Sequence, residues 1–556
     1  MSYKATAAQE ALRAKIREFA ENEIKPIAFA LDRENKFPDA EIHKLGQLGF
    51  MGIPFPQEYG GAGLDNISYA IAVEELSRVD GGTGVILSAH VSLGSYPIYA
   101  FGTVEQKQKY LVPLAQGEKI GAFGLTEVNA GSDASGTETT AVLNGDHYIL
   151  NGKKIFITNA PKADTYVVFA VTTPNIGTHG ISAFIVEKDW EGFSFGVHYD
   201  KMGIRSSSTA ELVFNNVKVP KENLLGKEGE GFKIAMNTLD GGRIGIAAQA
   251  LGIAQGAYEN ALEYSKERIQ FGKPICAQQI VAFKLADMAT KIRAARLLVY
   301  SSAALKDAHE PFGMESAMAK QYASDICLEV VNDALQIHGG NGYIKGMDVE
   351  RAYRDAKICT IYEGTNEIQR VVIAAHVIGK IKNATKAAAP TAQAATPSNL
   401  VFQTGSAQEK VELLAKELKA KGFDFSAKVD IDTPIAQAER VVSVGLGIGS
   451  QENLELVKAL AIQVGAALGA SRPISEMLKY LPMDRYVGVS GQKFKGKLYF
   501  ACGISGAMQH MKGITDTAVI VAINNDPNAP IFKTAHYGIV GDLNEILPLL
   551  TVALAK

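Results

Sequence analysis

One stretch about two-thirds of the way along this chain, ATKAAAPTAQAATPSN from Ala384 to Asn399, constrains the fold more than any other. It holds two prolines and no aromatic residue, so it buries too little apolar surface to repay the entropy of ordering and is expected not to pack. A flexible segment of this length has a typical end-to-end distance of ~20–25 Å. The residues on either side must therefore fold as separate bodies. A length of 556 residues exceeds one ordinary core in any case.

The spacing of apolar residues divides the longer body. Residues 1–120 read as an α domain: Leu12, Ile16, Phe19 and Ile24 recur at helical intervals, as do the apolar positions of Ile67–Val79 and Val104–Leu114. Over 121–230 the period changes to two. TYVVFAVTT, ISAFIVEK and STAELVFNNVKVP are strand-like, and Asn144-Gly145 and Asn151-Gly152 are hairpin signals. Helical spacing returns over 231–383 in four long segments, which predicts an antiparallel bundle. After the 384–399 linker, residues 400–556 alternate apolar strand-like runs (VVSVGLGIG, GKLYFACGIS, TAVIVAIN) with helical ones. That pattern predicts a doubly wound parallel α/β sheet.

Charge and cysteine usage narrow the class. A formal net charge of −3 offers no broad attraction to nucleic acid or anionic membrane. Cys276, Cys327, Cys359 and Cys502 show no C-x-x-C spacing, so neither a disulfide framework nor a metal site is expected. The N-terminus lacks the apolar core of a signal peptide, and no run of about 18 apolar residues is present. A cytoplasmic protein without a membrane span is the expectation.

In the first body, Tyr362-Glu363-Gly364-Thr365 follows the Gly-rich turn HGGNGY and precedes an apolar helix. A carboxylate beside Gly364 can be approached closely by a planar substrate, and Thr365 can hydrogen-bond a bound cofactor. The same glutamate also suits a dipole-favoured helix cap. The surrounding motifs decide between these. GLTEVNAGSDASG (124–136), KIFITN (154–159), MGIRSSSTAELVF (202–214), MNTLDGGRIGIAAQALG (236–252), ERIQFGKPI (267–275), LQIHGGNGY (335–343) and YRDAKICTIYEGTNEIQR (353–370) together resemble the acyl-CoA dehydrogenase family, and within it the short-chain, butyryl-CoA type. The resemblance covers essentially all of residues 1–382.

It implies an α-bundle, a β-barrel-like domain and a four-helix bundle holding FAD, assembled as a homotetramer or homodimer. It also implies that Glu363 abstracts the α-proton of an acyl thioester while the β-hydrogen leaves as hydride to the flavin. The thioester oxygen is then polarised by the Glu363 N–H. Relatives that carry the base on the DGGR helix would place it at Gly242, which has no side chain. By matching position, Ser132, Asp240, Arg243, Tyr362 and Gly364 resemble substrate contacts. Thr126, Phe156, Ile157 and Thr158 resemble the wall of the flavin ring. Arg268, Phe271, Gln279, Gln336, Gly339, Gly340, Thr365 and Glu367 resemble contacts to the rest of FAD, partly across a subunit boundary.

The second body carries GAALGASRP (465–473), YVGVSG (486–491), KLYFACGISGAMQH (497–510), VIVAINNDPNAPIF (519–532) and HYGIVGDLNEILP (536–548). These resemble the C-terminal FAD domain of the electron-transfer flavoprotein α-subunit. The likeness places Arg472, Ser490, Ser505, Gly506, Gln509, His510, Asn524 and Asp542 around a second FAD. Leu446, Val489, Asn525 and His536 depart from the pattern. The two resemblances together imply an enzyme that dehydrogenates a short-chain acyl-CoA to the trans-2-enoyl-CoA and relays electrons to its own tethered FAD, then to an external acceptor. The same core running as an enoyl-CoA reductase, or a second body serving only for docking, are the alternatives.

Overall fold

A computed structural model describes residues 5–379, 400–427, 429–514 and 517–555; the Ala384–Asn399 segment lies outside the described residues. The chain forms two compact units, one ending at residue 384 and the other starting at 385.

The first unit opens with helix Ala7–Phe19. Its capping box pairs the Thr6 side chain with the Gln9 N–H and the Gln9 side chain with the Thr6 N–H, satisfying two amides that a helix start leaves bare. Arg13 and Arg17 of this helix hold Glu75 at 2.7 and 2.8 Å, and Arg296 holds Glu74 at 2.7 Å. Both carboxylates are buried on helix Asn66–Val79, so they need these partners to remain charged. Asp80 ends that helix and caps the next, Gly81–Ala89, by accepting the Thr83 N–H at 2.7 Å.

Eight strands then form one sheet in the order Phe193–His198, Thr209–Pro220, His147–Thr158, Thr140–Asn144, Thr165–Val171, Ile181–Glu187 and Leu224–Leu225, with Gly121–Gly124 paired to Thr165–Val171. Thr165–Val171 is buried on both faces. Tyr166 and Val168 join Phe184 and Leu212 in the core of the sheet, while Val167 and Phe169 point to the helices. Asn144-Gly145 marks a two-residue hairpin turn, with Asn144 paired to His147 and Gly145 at φ +66°.

The expected second turn at Asn151-Gly152 does not form, because both residues lie within the continuous strand His147–Thr158. The register against Thr209–Pro220 slips there, Gly152 has φ +145°, and a Cβ on it would lie 2.5 Å from Thr139 Oγ1. The glycine serves a bulge and a close approach of chains.

Helices Gly231–Glu267, Gln279–Asp307 and Gly313–His338 pack as the core of the third part. The fourth expected long helix is the 13-residue Asn366–Ile378. An unanticipated short helix, Asp348–Ala356, buries Arg351 and Asp355 along with Val349, so its apolar period is hidden.

The second unit is a six-stranded parallel sheet in the order Leu400–Phe402, Tyr537–Val540, Val519–Asn524, Leu498–Cys502, Arg440–Val444, Ala467–Ala470. Helices Ala407–Ala420, Leu454–Gln463 and Leu543–Ala555 cover one face, where Leu414, Leu460 and Leu547 meet Val442, Phe500 and Val521. The other face, with Val441, Tyr499 and Ala501, is covered by loops and single turns carrying Val487, Phe494 and Ile531. Successive strands step outward from Arg440–Val444 to Ala467–Ala470 and then return to its other side. The strand order therefore reverses at Arg440–Val444, where sheets of this kind open a crevice at their carboxyl ends. Among the described residues, no helix is long and apolar enough to cross a membrane.

Candidate active site

A cavity of about 500 Å³ opens in the first unit between the sheet, helix Gly231–Glu267 and the turn at 362–364. Its size suits a small-molecule cleft. Val85, Leu239, Ile246 and Ile368 supply apolar wall, while Thr126 and Ser132 supply polar groups from the loop after Gly121–Gly124. That loop is fixed from within. Lys154, fully buried, donates to Glu127 Oε1 at 2.6 Å and to the Leu125 carbonyl at 3.2 Å, and Glu127 accepts the N–H groups of Glu138 and Thr139. Burial pushes the Lys154 ammonium down to about 8, and Glu127 opposes that shift.

Phe156, Ile157 and Thr158 all line this cavity. The pairing of His147–Thr158 with Thr209–Pro220 slips between Lys154 and Ile157, and Phe156 takes φ +58°, which is uncommon for a non-glycine residue. The bulge turns the Phe156 ring outward, 60% exposed and 4.8 Å from the Tyr199 ring.

Glu363 has φ +54° and Gly364 φ +83°, a left-handed turn placed just before helix Asn366–Ile378. Gln369 Nε2 donates to the Glu363 and Gly364 carbonyls at 3.0 and 2.8 Å, and Lys320 Nζ donates to the Gly364 carbonyl at 2.9 Å. The turn is strained, and these donors clamp it. The Glu363 side chain lines the cavity, and its Oε2 is buried without a hydrogen-bond partner. Burial pushes the carboxyl up to about 7, against the lowering pull of Arg243 and Lys320. A buried acid poised near neutral pH is suited to taking a proton from a bound molecule. Thr365 caps the following helix, its Oγ1 accepting the Ile368 N–H, and Glu367 is exposed in the first turn.

Of the other residues singled out in the sequence, Arg243, Tyr362 and Gly364 also line the cavity. Asp240 lies beside it, hydrogen-bonded to Arg243 Nη1 at 2.5 Å, and Arg243 Nε is buried without a partner. Arg268, Phe271, Gln279, Gln336, Gly339 and Gly340 are exposed and lie away from the cavity. Gly339, at φ +58°, ends helix Gly313–His338. Tyr264 ties the two exposed groups together by stacking on His338 at 4.3 Å and accepting from Asn341 at 2.9 Å.

In the second unit a cavity of about 550 Å³ opens at the carboxyl ends of the strands, lined by Gly445, Ser471, Gly503 and Asn524 among others. Gly503 has φ +65°, and a Cβ there would meet Gly447 at 2.9 Å, so the two strand-end turns need this close approach. Arg472, Ser505, Gln509, His510 and Asn524 line the cavity, whereas Ser490, Gly506 and Asp542 are not in its lining. Leu446 lines it as well and is 57% exposed. Arg472 is paired to Glu476 at 2.5 Å, and Asn524 donates to the Ile504 carbonyl at 3.1 Å. His510 is buried, its Nε2 lies 2.8 Å from the Tyr499 hydroxyl, and its Nδ1 has no hydrogen-bond partner. Burial pushes the imidazole down to about 4, so it is neutral near pH 7. Among the described residues, no group of His, Cys, Asp and Glu is placed to hold a metal ion.

Sequence reasoning missed Lys320, Gln369, Lys154 and Glu127. Lys320 offered a faint signal, as a lone cation on the small-residue face AMAKQYAS.

Comparison with known proteins places both cavities in context. Residues 6–118, 122–217 and 229–378 match the N-terminal, middle and C-terminal domain families of acyl-CoA dehydrogenase, and residues 434–515 match the electron transfer flavoprotein FAD-binding domain. The chain is 58% identical over 377 residues to a short-chain-specific acyl-CoA dehydrogenase of Clostridium acetobutylicum, covering 68% of this chain and 100% of that protein. It is 50% identical over 373 residues to a 3-(aryl)acrylate reductase of Clostridium sporogenes, covering 67% and 99%. The solved structure of butyryl-CoA dehydrogenase from Megasphaera elsdenii superposes with a TM-score of 0.67 at 51% identity, covering 68% of this chain and 100% of that one.

Proposed function

The chain belongs to the acyl-CoA dehydrogenase family, and from that premise we propose that it oxidises a short-chain, butyryl-like acyl-CoA to the trans-2-enoyl-CoA and passes the electrons to a second FAD held by its own second unit. The observation that carries the first half is Glu363, a shielded carboxyl near neutral pKa facing a cleft that bears no competing base at Gly242.

The first cavity suits a flavin ring and an acyl thioester: Phe156, Ile157 and Thr158 offer a wall for a planar ring, and the orphaned Glu363 Oε2 lacks a partner that a substrate can supply. Bound FAD supplies a two-electron acceptor for the departing β-hydrogen. The protein does the rest. Glu363 takes the α-proton, and its backbone N–H, which has no acceptor within the described protein, is free to hold the thioester oxygen. Arg243 and Asp240 beside the cleft, with Ser132 on its rim, are the candidate contacts to the CoA portion. The apolar walls exclude water from the proton transfer.

The second cavity also suits FAD. It lies at the reversal point of a parallel sheet, with the neutral His510 among its lining residues. Carrying both sites on one chain makes their encounter intramolecular and raises its effective concentration. The exposed apolar residues Ile269, Phe271, Ile280 and Tyr343, close to Arg268 and Gln336, support assembly of copies around the first FAD. The test is flavin counting during anaerobic reduction with butyryl-CoA. Two FAD per chain, both reduced, support the relay; one FAD per chain removes it.

A reductive direction is the second reading, favoured by the likeness to the 3-(aryl)acrylate reductase. Glu363 would then return a proton to the α-carbon. Comparing turnover of crotonyl-CoA with a low-potential donor against turnover of butyryl-CoA decides between the directions.

A further inference from the structure

Lys320 is a fully buried cation that lies outside the lining of the first cavity. It sits on helix Gly313–His338, and its Nζ donates to the Gly364 carbonyl and to Asn366 Oδ1, each at 2.9 Å. Both acceptors are neutral, and among the described residues no carboxylate forms an ion pair with the ammonium. A buried ammonium is costly unless its setting repays it. Asn366 is itself oriented, donating to Ser324 at 2.9 Å and to Asp325 at 2.6 Å. The Lys320 donors thus come from a rigid helix and end on the turn that carries the base.

We infer that Lys320 is a positioning residue for Glu363: it locks the left-handed 363–364 turn through the Gly364 carbonyl and sets the affinity of the Glu363 carboxylate for its proton with a fixed positive charge. The inference rests on the reading of Glu363 as the base. Gln369 alone cannot supply the second function, because it holds the same carbonyls with a neutral amide.

Among the charged and titratable groups around the pair, helix Asn366–Ile378 contributes the exposed Glu367, on which Lys320 acts. Helix Gly231–Glu267 contributes Arg243, already paired to Asp240. Helix Gly313–His338 contributes Lys320 itself and Asp325, which is engaged by Asn366 and Arg370. The segment before the turn contributes Cys359 and Tyr362, and helix Asn66–Val79 contributes Tyr69. Burial raises Cys359, Tyr362 and Tyr69, so all three stay neutral at working pH. Arg243 and Lys320 are the two cations acting on Glu363. Burial pushes Lys320 down to about 8, so it is still charged where Glu363 titrates.

The test compares Lys320→Gln, which keeps a donor and loses the charge, with Lys320→Arg, which keeps the charge and moves the donors. Two readouts are used on the full-length holoenzyme. One is the acid limb of kcat/KM for butyryl-CoA. The other is the infrared band of the protonated Glu363 carboxyl, identified by its loss in Glu363→Gln. Without the positive charge the carboxylate is less favoured, so both limb and band should move to higher pH in Lys320→Gln, by roughly one unit. In Lys320→Arg both should stay in place while kcat falls. A limb and band unmoved in Lys320→Gln overturn the inference. Should Lys320→Gln not fold, a shifted band in Lys320→Arg overturns it equally. Retained oxidation in Glu363→Gln would instead overturn the reading of the base, a separate result.

Discussion

A methyl group on Gly242 would lie 2.9 Å from Oε1 of Glu363 and 3.0 Å from Oε2, so the bare backbone of helix Gly231–Glu267 is the surface on which the carboxylate rests. Two positions 121 residues apart in sequence share one space, and only one of them can hold a side chain there.

Gly242→Ala therefore separates stability from activity. Alanine in a helix interior is favoured over glycine by about 0.5–1 kcal/mol, which offsets part of the crowding. The carboxylate must still move, and a displaced base loses its alignment. The expected result is a folded protein with Tm within a few degrees of the parent and kcat for butyryl-CoA reduced at least ~10-fold. Thermal melts and steady-state kinetics check it.

Glu363→Gln should raise stability in a defined pH window. The carboxyl titrates at about 7 in the folded protein, above its ordinary 4.5, so folding takes up a proton between these values. Native stability then falls as pH rises through the window, and the full cost is carried above pH 7. Glutamine removes that cost, on the order of 3 kcal/mol. The variant should melt a few degrees higher than the parent at pH 8 and equal it below pH 4.5. A difference that does not change with pH would contradict the assignment.

Leu446→Arg should tighten FAD in the second unit. Leu446 is 57% exposed on the wall of the second cavity, where an arginine could reach a pyrophosphate. A charge-assisted hydrogen bond to phosphate should improve retention roughly tenfold. Flavin remaining per chain after extended dialysis, at low and high salt, measures it.

Phe271→Asp should weaken assembly. Phe271 is 92% exposed beside Ile269, and a carboxylate placed in such a patch opposes burial between copies. Sedimentation should show a smaller species, with FAD lost from the first unit in proportion. An unchanged sedimentation coefficient would remove this surface from the interface.

Much of the fold was legible because burial selects apolar residues, in alternation or in short unbroken runs. Thr165–Val171 and Ile181–Glu187 are apolar on both faces and could be read directly as strands. Asp348–Ala356 was hidden because its buried face carries Arg351 and Asp355, which pair within the fold and imitate a solvated segment. Asn151-Gly152 misled because a bulge and a hairpin ask the same of glycine, a positive φ, and differ only in what lies across the strand. At the site, Glu363 and Phe156 could be named from short motifs. Their left-handed backbone, the Lys320 and Gln369 clamps and the Lys154–Glu127 pair depend on contacts between distant segments, and no local pattern encodes those.

The second unit has a handle and a port. Its first described strand, Leu400–Phe402, runs parallel to its neighbours from the amino-terminal rim of the sheet and occupies an edge. The cavity opens at the opposite rim, beyond the ends of Arg440–Val444 and Leu498–Cys502. A five-residue strand spans ~17 Å, so the attachment is kept well clear of the opening. The chain enters this unit from the back of the sheet. Under the proposed relay, the mouth lies on the rim away from the entering chain, open first to an electron donor and then to an acceptor.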